Sequence, residues 1–80
     1  MSDDRIERLS TLFRLVFDLP ADADPTQARQ MTTTAWDSLG HVSLITAIES
    51  EFEIEIPTID SLDLTSFEAA MLILEDLLEQ

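Results

Sequence analysis

The 80-residue sequence contains no cysteine and no lysine, and only one glycine and three prolines. Without cysteine the chain has no disulfide, no thiol nucleophile and no thiolate ligand for a zinc finger. The same absence fits a reducing cytoplasm, which is the compartment we expect. Few turn-forming residues and few aromatic residues favour helices over strands. A chain of this length suits one small domain, so we expect residues 1–80 to form a single unit.

Positive charge is scarce as well. Four arginines stand against 17 aspartates and glutamates, and the formal net charge is −13. Phosphate backbones and anionic lipid repel such a surface, so we expect neither nucleic acid nor a membrane as partner. Basic patches on other proteins attract it. The N-terminal MSDDRIERL has no long apolar run and no positive flank, so we expect no signal peptide.

Apolar residues recur at helical spacing in the first half of the chain, where they predict two long helices. The first helix runs from Asp3 to Phe17 and the second from Ser38 to Phe52. Residues 18–36 lack this periodicity and form a segment that is long for a loop in so small a domain. Within it, Asp24-Pro25 predicts one short helical turn.

The C-terminal part of the chain predicts a short helix and then a longer one. Residues 53–57 form an extended connection, and the apolar residues of 59–64 indicate a short third helix. Thr65 and Glu68 match a capping box, with Thr65 as the N-cap of the last helix. The fold class is therefore all-α, a small four-helix bundle of three main helices and a short third helix, with a long first loop. The expected core residues are Leu9, Phe13, Val42, Ile45, Ile48, Phe52, Phe67, Met71 and Leu74.

The tripeptide Asp-Ser-Leu occurs twice, at residues 37–39 and 60–62. Ser38 in the first copy has His41 one helical turn away, which suggests a nucleophile with its base. A nucleophilic serine also needs an orienting acid and an oxyanion hole on a rigid scaffold. The chain has no G-x-S-x-G turn, and its one histidine lies on the same helix as the serine. We therefore expect no enzyme activity, no catalytic residue and no metal site.

Ser38 is better placed as an acceptor of a group that another enzyme attaches. A hydroxyl in the first turn of a helix is exposed, and the free amides there favour an attached phosphate. Asp37 precedes the helix and can serve as its N-cap. Gly40 lies inside the first turn, where glycine costs about 1 kcal/mol relative to alanine. Gly40 is either an ordinary tolerated glycine or a place where a ligand or partner backbone comes close.

These residues resemble the acyl carrier protein family over nearly the full length of the chain. DSL at 37–39 opens a long helix, IESEFEIEIP at 48–57 closes it, and LTSFEAA at 64–70 begins the last helix. The resemblance implies that Ser38 carries covalent 4′-phosphopantetheine, whose thiol holds acyl groups as thioesters and shuttles them between enzymes. Ser61 matches the tripeptide equally well, but its stretch corresponds to the short third helix of the family.

The resemblance also implies the partners of this chain, which we expect to be a monomer. They are a phosphopantetheinyl transferase and acyl-loading and acyl-processing enzymes with basic docking patches. We expect the docking residues to be Asp37, Leu39, Gly40, Ser43, Thr46, Ala47 and Glu49.

The kind of carrier is less well defined by the residues. Gly40, Ser43 and Ser50 occupy positions that are often acidic in housekeeping fatty-acid carriers. Trp36 either packs the first loop over the core or points, like those residues, to stand-alone carriers of specialised pathways. We therefore favour a dedicated carrier of polyketide or other specialised biosynthesis over the general carrier of fatty-acid biosynthesis. The alternatives are a carrier loaded with an amino acid and an unmodified acidic helical interaction module.

Overall fold

The structure, a computed structural model, describes residues 3–79 and contains four α-helices and no strand within that range. The elements are α1 (Asp3–Phe17), a 3-10 turn (Pro25–Gln27), α2 (Ser38–Phe52), α3 (Thr58–Asp63) and α4 (Phe67–Leu78). The predicted all-α bundle with a short third helix and a long first loop is confirmed. The side chain of Asp3 and both ends of the predicted domain 1–80 lie outside the described residues.

The N-terminus of α4 lies one residue beyond the predicted cap. The hydroxyl of Ser66 accepts the N–H of Ala69 at 3.0 Å, so Ser66 is the N-cap. The carbonyl of Thr65 instead accepts the N–H of Gln30 at 2.9 Å. Because this pairing with the first loop holds Thr65 outside the helix, the predicted capping box of Thr65 and Glu68 is wrong.

The first loop is partly helical and pairs with the start of α4. The side chain of Asp24 accepts the N–H of Thr26 at 3.0 Å and its hydroxyl at 2.7 Å. These bonds cap the 3-10 turn Pro25–Gln27, which confirms the turn predicted there. Further along, the carbonyl of Ala28 accepts the N–H of Phe67 at 3.0 Å, so the loop is tied to the last helix.

The Thr26 hydroxyl and, second, its N–H lower the pKa of Asp24, because both donate to the charged carboxylate. Asp24 therefore contributes stability above the pKa of the unfolded chain, and this contribution is lost as the pH falls through the folded-state pKa. We expect Thr26→Val to raise the pKa of Asp24 toward its ordinary range, measured by NMR titration of the carboxyl carbon. Thr11→Val, a change on the exposed side of α1, should leave the titration unmoved. An unchanged titration in Thr26→Val would contradict the assignment.

The core is a cluster of buried apolar side chains from α1, α2, α4 and the segments that connect the helices. Its members are Leu9, Phe13, Phe17, Ala28, Trp36, Leu44, Ile48, Phe52, Ile56, Leu64, Phe67, Ala70 and Leu74. Of the other residues predicted for the core, Ile45 and Met71 are half-buried and pack against this cluster. Val42 does not belong to it.

Helix α2 buries a narrower face than the sequence predicts. Leu44, Ile48 and Phe52 are its buried residues and follow one another at four-residue spacing. Val42 is 61% exposed, so its predicted place in the core is wrong. At about 100° per residue, Val42 lies roughly 160° around the helix from Leu44 and on the same side as the exposed Leu39.

Arg8 joins α1 to the C-terminal end of α2. Its Nε donates to the Glu51 carboxylate and a terminal guanidinium nitrogen donates to the Glu51 carbonyl, both at 2.8 Å. The guanidinium lies 4.5 Å from the ring centroid of Phe52. A cation is favoured at this end of a helix because the carbonyls there carry partial negative charge. Ser38 lies at the opposite end of α2, so other contacts must fix its position.

Candidate functional site

Ser38 is the first residue of α2, and its side chain is exposed. Asp37 precedes it as the N-cap and accepts the N–H of Gly40 on its carboxylate at 2.8 Å. The carbonyl of Asp37 accepts the N–H of His41, also at 2.8 Å. The predicted cap is therefore confirmed. The Ser38 hydroxyl lies at the end of α2 where the helix dipole favours negative charge.

Gly40 lies where the end of the first loop passes close to α2. A Cβ atom at this position would collide with the backbone carbonyl oxygen of Ala35. It would also lie 3.2 Å from Cε1 of Phe17 and 3.3 Å from Oδ1 of Asp37. A larger residue would therefore require the loop backbone to move. The close approach that we considered for Gly40 is made, in this structure, by the chain's own loop.

Trp36 anchors the residues just before Ser38 to the core. Only 3% of Trp36 is exposed. Its ring stacks on Phe17 with centroids 4.9 Å apart and meets Phe13 edge-on at 5.4 Å. The first turn of α2 cannot move away from α1 without exposing this large ring to water. Packing of the first loop over the core by Trp36 is confirmed.

His41 connects the first turn of α2 to α3. Its Nδ1 accepts the indole N–H of Trp36 at 3.0 Å, and its Nε2 lies 2.9 Å from the carbonyl oxygen of Ser61. An indole N–H can only donate, so Nδ1 must be the acceptor and Nε2 must carry the proton. The geometry thus requires the neutral Nε2–H tautomer. The sequence gave no signal of this link to Ser61.

The two serines of the repeated tripeptide have different surroundings. Ser38 opens a helix of 15 residues and is exposed. Ser61 is half-buried near the end of a helix of 6 residues, and its hydroxyl donates to the Thr58 carbonyl at 2.8 Å. Of these two serines, Ser38 is therefore the one whose hydroxyl is exposed at the start of a long helix, where a modifying enzyme could reach it.

The predicted docking residues of α2 differ in exposure. Leu39, Ser43 and Thr46 are exposed, whereas Gly40, Ala47 and Glu49 are half-buried. The carboxylate of Glu49 accepts the N–H of Ile56 at 2.8 Å and so supports the connection to α3. The exposed docking residues predicted on α2 thus lie within residues 39–46.

Helices α2 and α3 carry four exposed apolar side chains, of which the sequence analysis identified only Leu39 as a docking residue. Leu39 and Val42 lie one turn apart on α2 and are 76% and 61% exposed. Ile59 and Leu62 lie one turn apart on α3 and are 71% and 72% exposed. We call these four residues the apolar docking face. The sequence did hold a signal for the exposure of Ile59 and Leu62, because they are three residues apart in a helix too short to bury them.

No family model matches the chain, and no curated protein sequence matches it. Among residues 3–79, no helix combines the length and the apolar character that a bilayer span needs.

Proposed function

We propose that this chain is a cytoplasmic acyl carrier protein whose Ser38 receives 4′-phosphopantetheine from a phosphopantetheinyl transferase. The observation that carries the proposal is an exposed serine hydroxyl at the first residue of a long helix. The start of this helix is held to α1 through Trp36 and to α3 through His41. The resemblance of residues 37–39, 48–57 and 64–70 to the family supports it. When attached, the group supplies a terminal thiol that holds an acyl chain as a thioester.

The surroundings of Ser38 fit a phosphate ester on its hydroxyl. The Ser38 oxygen forms the new ester bond as the diphosphate bond of coenzyme A breaks, adenosine 3′,5′-bisphosphate leaves, and a base of the transferase takes the hydroxyl proton. The N-terminus of α2 favours the negative charge that remains on the serine. The neighbouring carboxylate of Asp37 would oppose that charge, but it is engaged by the N–H of Gly40.

The chain's own contribution is to present Ser38 in a fixed orientation to several enzymes in turn. Trp36, Gly40 and Asp37 hold the first turn of α2 to the loop and to α1. The net charge of −13 steers the chain toward basic patches on acyl-loading and acyl-processing enzymes. The apolar docking face then supplies contact area beside Ser38 that water leaves when a partner binds.

Within the family we propose a dedicated carrier of polyketide or other specialised biosynthesis. Ser43 and Ser50 are exposed on α2, at positions that are often acidic in the general fatty-acid carriers. Enzymes that recognise an acidic second helix through lysine and arginine would lose part of their attraction to this one. Loading assays on the modified protein, with acyl and aminoacyl donors in parallel, would separate an acyl carrier from a carrier of amino acids.

Ser38→Ala should abolish the modification completely, because it removes the accepting oxygen. Intact-protein mass should show one added phosphopantetheine after incubation of the wild type with coenzyme A and a broad-specificity transferase. Ser61→Ala should be modified like the wild type. It is a matched control from the second copy of the same tripeptide, and it removes one hydroxyl bond while keeping the carbonyl that contacts His41.

Two outcomes of this experiment would overturn the proposal. No mass increase in the wild type, when a known carrier is modified in the same assay, would favour the unmodified acidic interaction module. A mass increase in Ser38→Ala would place the attachment at another residue. A far-ultraviolet circular dichroism spectrum equal to that of the wild type would exclude loss of the fold as the cause of a negative result in Ser38→Ala.

A further inference from the structure

The imidazole of His41 joins three parts of the chain next to Ser38. It is carried by the first turns of α2, accepts a hydrogen bond from Trp36 of the first loop, and lies within hydrogen-bond distance of the Ser61 carbonyl of α3. Its ring is also nearly parallel to the Trp36 ring, with 21° between the planes and centroids 6.3 Å apart. We call the two contacts of the His41 ring, one with Trp36 and one with Ser61, the bridge. Because Trp36 is buried in the core, the Trp36 end of the bridge is fixed.

Helix α3 has few other contacts to hold its middle in place. None of its 6 residues is buried, and no side chain caps its N-terminus. A helix this short is not stable in water by itself. The buried side chains of Ile56 and Leu64 anchor the chain just before and just after it. Between these two anchors, the contact from Nε2 of His41 to Ser61 links α3 to α2.

We propose that His41 is a positioning residue which, in its neutral Nε2–H form, fixes α3 beside the first turn of α2. It thereby sets the spacing of the two halves of the apolar docking face that partner enzymes contact around Ser38. This inference rests on the proposed carrier function for its effect on partners. The placement of α3 by His41 can be measured without any partner.

The bridge requires an uncharged ring. An imidazolium carries a proton on both nitrogens, so a second N–H at Nδ1 would point at the indole N–H of Trp36. Two donors cannot share one hydrogen bond, and the ring must turn away from Trp36. The contacts at Nδ1 and Nε2 are therefore compatible only with the neutral ring.

The charged residues nearest along the chain to the residues of the bridge are carboxylates. Asp37, the N-cap of α2, lies one turn before His41, Asp60 precedes Ser61 and Asp63 follows it by two residues on α3, and Asp18 follows Phe17 at the end of α1. A substitution at position 41 removes the ring and leaves these acids in place, so it tests the bridge itself.

His41 and Trp36 are the only histidine and the only tryptophan of the chain, so NMR can follow each without ambiguity. Long-range proton–nitrogen spectra at pH about 8 should show the Nε2–H tautomer. The indole N–H resonance of Trp36 should differ between the wild type and His41→Leu, because leucine lacks the Nδ1 acceptor. The Nδ1–H tautomer in the wild type, or the same indole resonance in the wild type and a folded His41→Leu, would overturn the proposal.

Modification kinetics measure the effect on partners. At pH about 8, His41→Leu should lower the transferase kcat/KM roughly tenfold, with most of the loss in KM and kcat within about twofold. His41→Gln should recover part of the loss, because its amide can still donate toward Ser61. Thr11→Val on α1 should have wild-type kinetics. Equal KM values for the wild type and a folded His41→Leu would overturn the positioning role alone. An unmodified wild type would instead overturn the carrier function and leave the tautomer result standing.

Discussion

Phe13→Ala should lower the free energy of unfolding by about 3–5 kcal/mol, the largest effect that we expect from one substitution in this chain. Phe13 is fully buried. Its ring meets those of Phe17, Trp36 and Phe67 edge-on, at centroid distances of 5.6, 5.4 and 5.0 Å. Alanine would leave a cavity and remove three aromatic contacts worth about 0.5–1.5 kcal/mol each beyond burial. Since whole domains are stable by only about 5–15 kcal/mol, this loss would be a large share of the total stability.

Urea unfolding followed by circular dichroism and by Trp36 fluorescence would measure this loss. Phe13→Leu is the matched core variant, because it fills most of the cavity but lacks the ring, and it should lose clearly less than Phe13→Ala. Leu15→Ala is the matched surface variant on the same helix, since Leu15 is 74% exposed, and it should change stability by no more than about 0.5 kcal/mol. A loss in Phe13→Ala no greater than that in Leu15→Ala would contradict the assigned core.

The same substitution should affect Ser38 through Trp36. The stacked rings of Trp36 and Phe17 both pack against Phe13, so a cavity in place of the Phe13 ring would let the indole move. The indole holds the residue just before Asp37 and donates to His41. The aromatic cluster is therefore the means by which the core of the bundle fixes the orientation of the candidate attachment site.

The bounds of the long helices could be predicted because their signals are local. The spacing of apolar residues defines 3–17 and 38–52, and both ranges agree with the structure. Asp37 before the second helix and Pro57 after it are start and stop signals within a few residues of the helix ends. Ser38 could be singled out for the same reason, since its tripeptide is followed by a long helix and that of Ser61 is not.

The errors and omissions involve contacts between distant parts of the chain. Val42 is exposed because α2 buries a narrow stripe, a width that periodicity in one helix does not define. Thr65 is displaced from the cap by a backbone bond to Gln30 in the first loop. His41 reaches Ser61, 20 positions further along, and only the folded chain places them side by side. Local chemistry determines the elements here, and the packing between them determines how they present Ser38.

Gly40→Ala should lower the free energy of unfolding by about 1–3 kcal/mol, although alanine is favoured over glycine within a helix by about 1 kcal/mol. The added Cβ meets a backbone carbonyl, that of Ala35, which cannot rotate aside as a side-chain end can. Trp36 follows Ala35 and is buried, so the loop cannot shift without disturbing the core. Ser43→Ala, on the exposed side of the same helix, gains helix propensity without a clash and should be neutral or slightly stabilising in the same urea titration.

This variant also separates two explanations for the single glycine. If the Ala35 carbonyl is the reason for it, Gly40→Ala loses stability, and its modification rate falls because the first turn of α2 is displaced. If a partner's backbone must approach at this point, the variant keeps its stability and its rate falls through a higher KM alone. Because the contact with Ala35 lies within the chain, we expect the first result, with a shifted indole resonance of Trp36 before any enzyme is added. Unchanged stability and an unchanged indole resonance would mean that the loop adjusts freely, and Gly40 would then not hold the site.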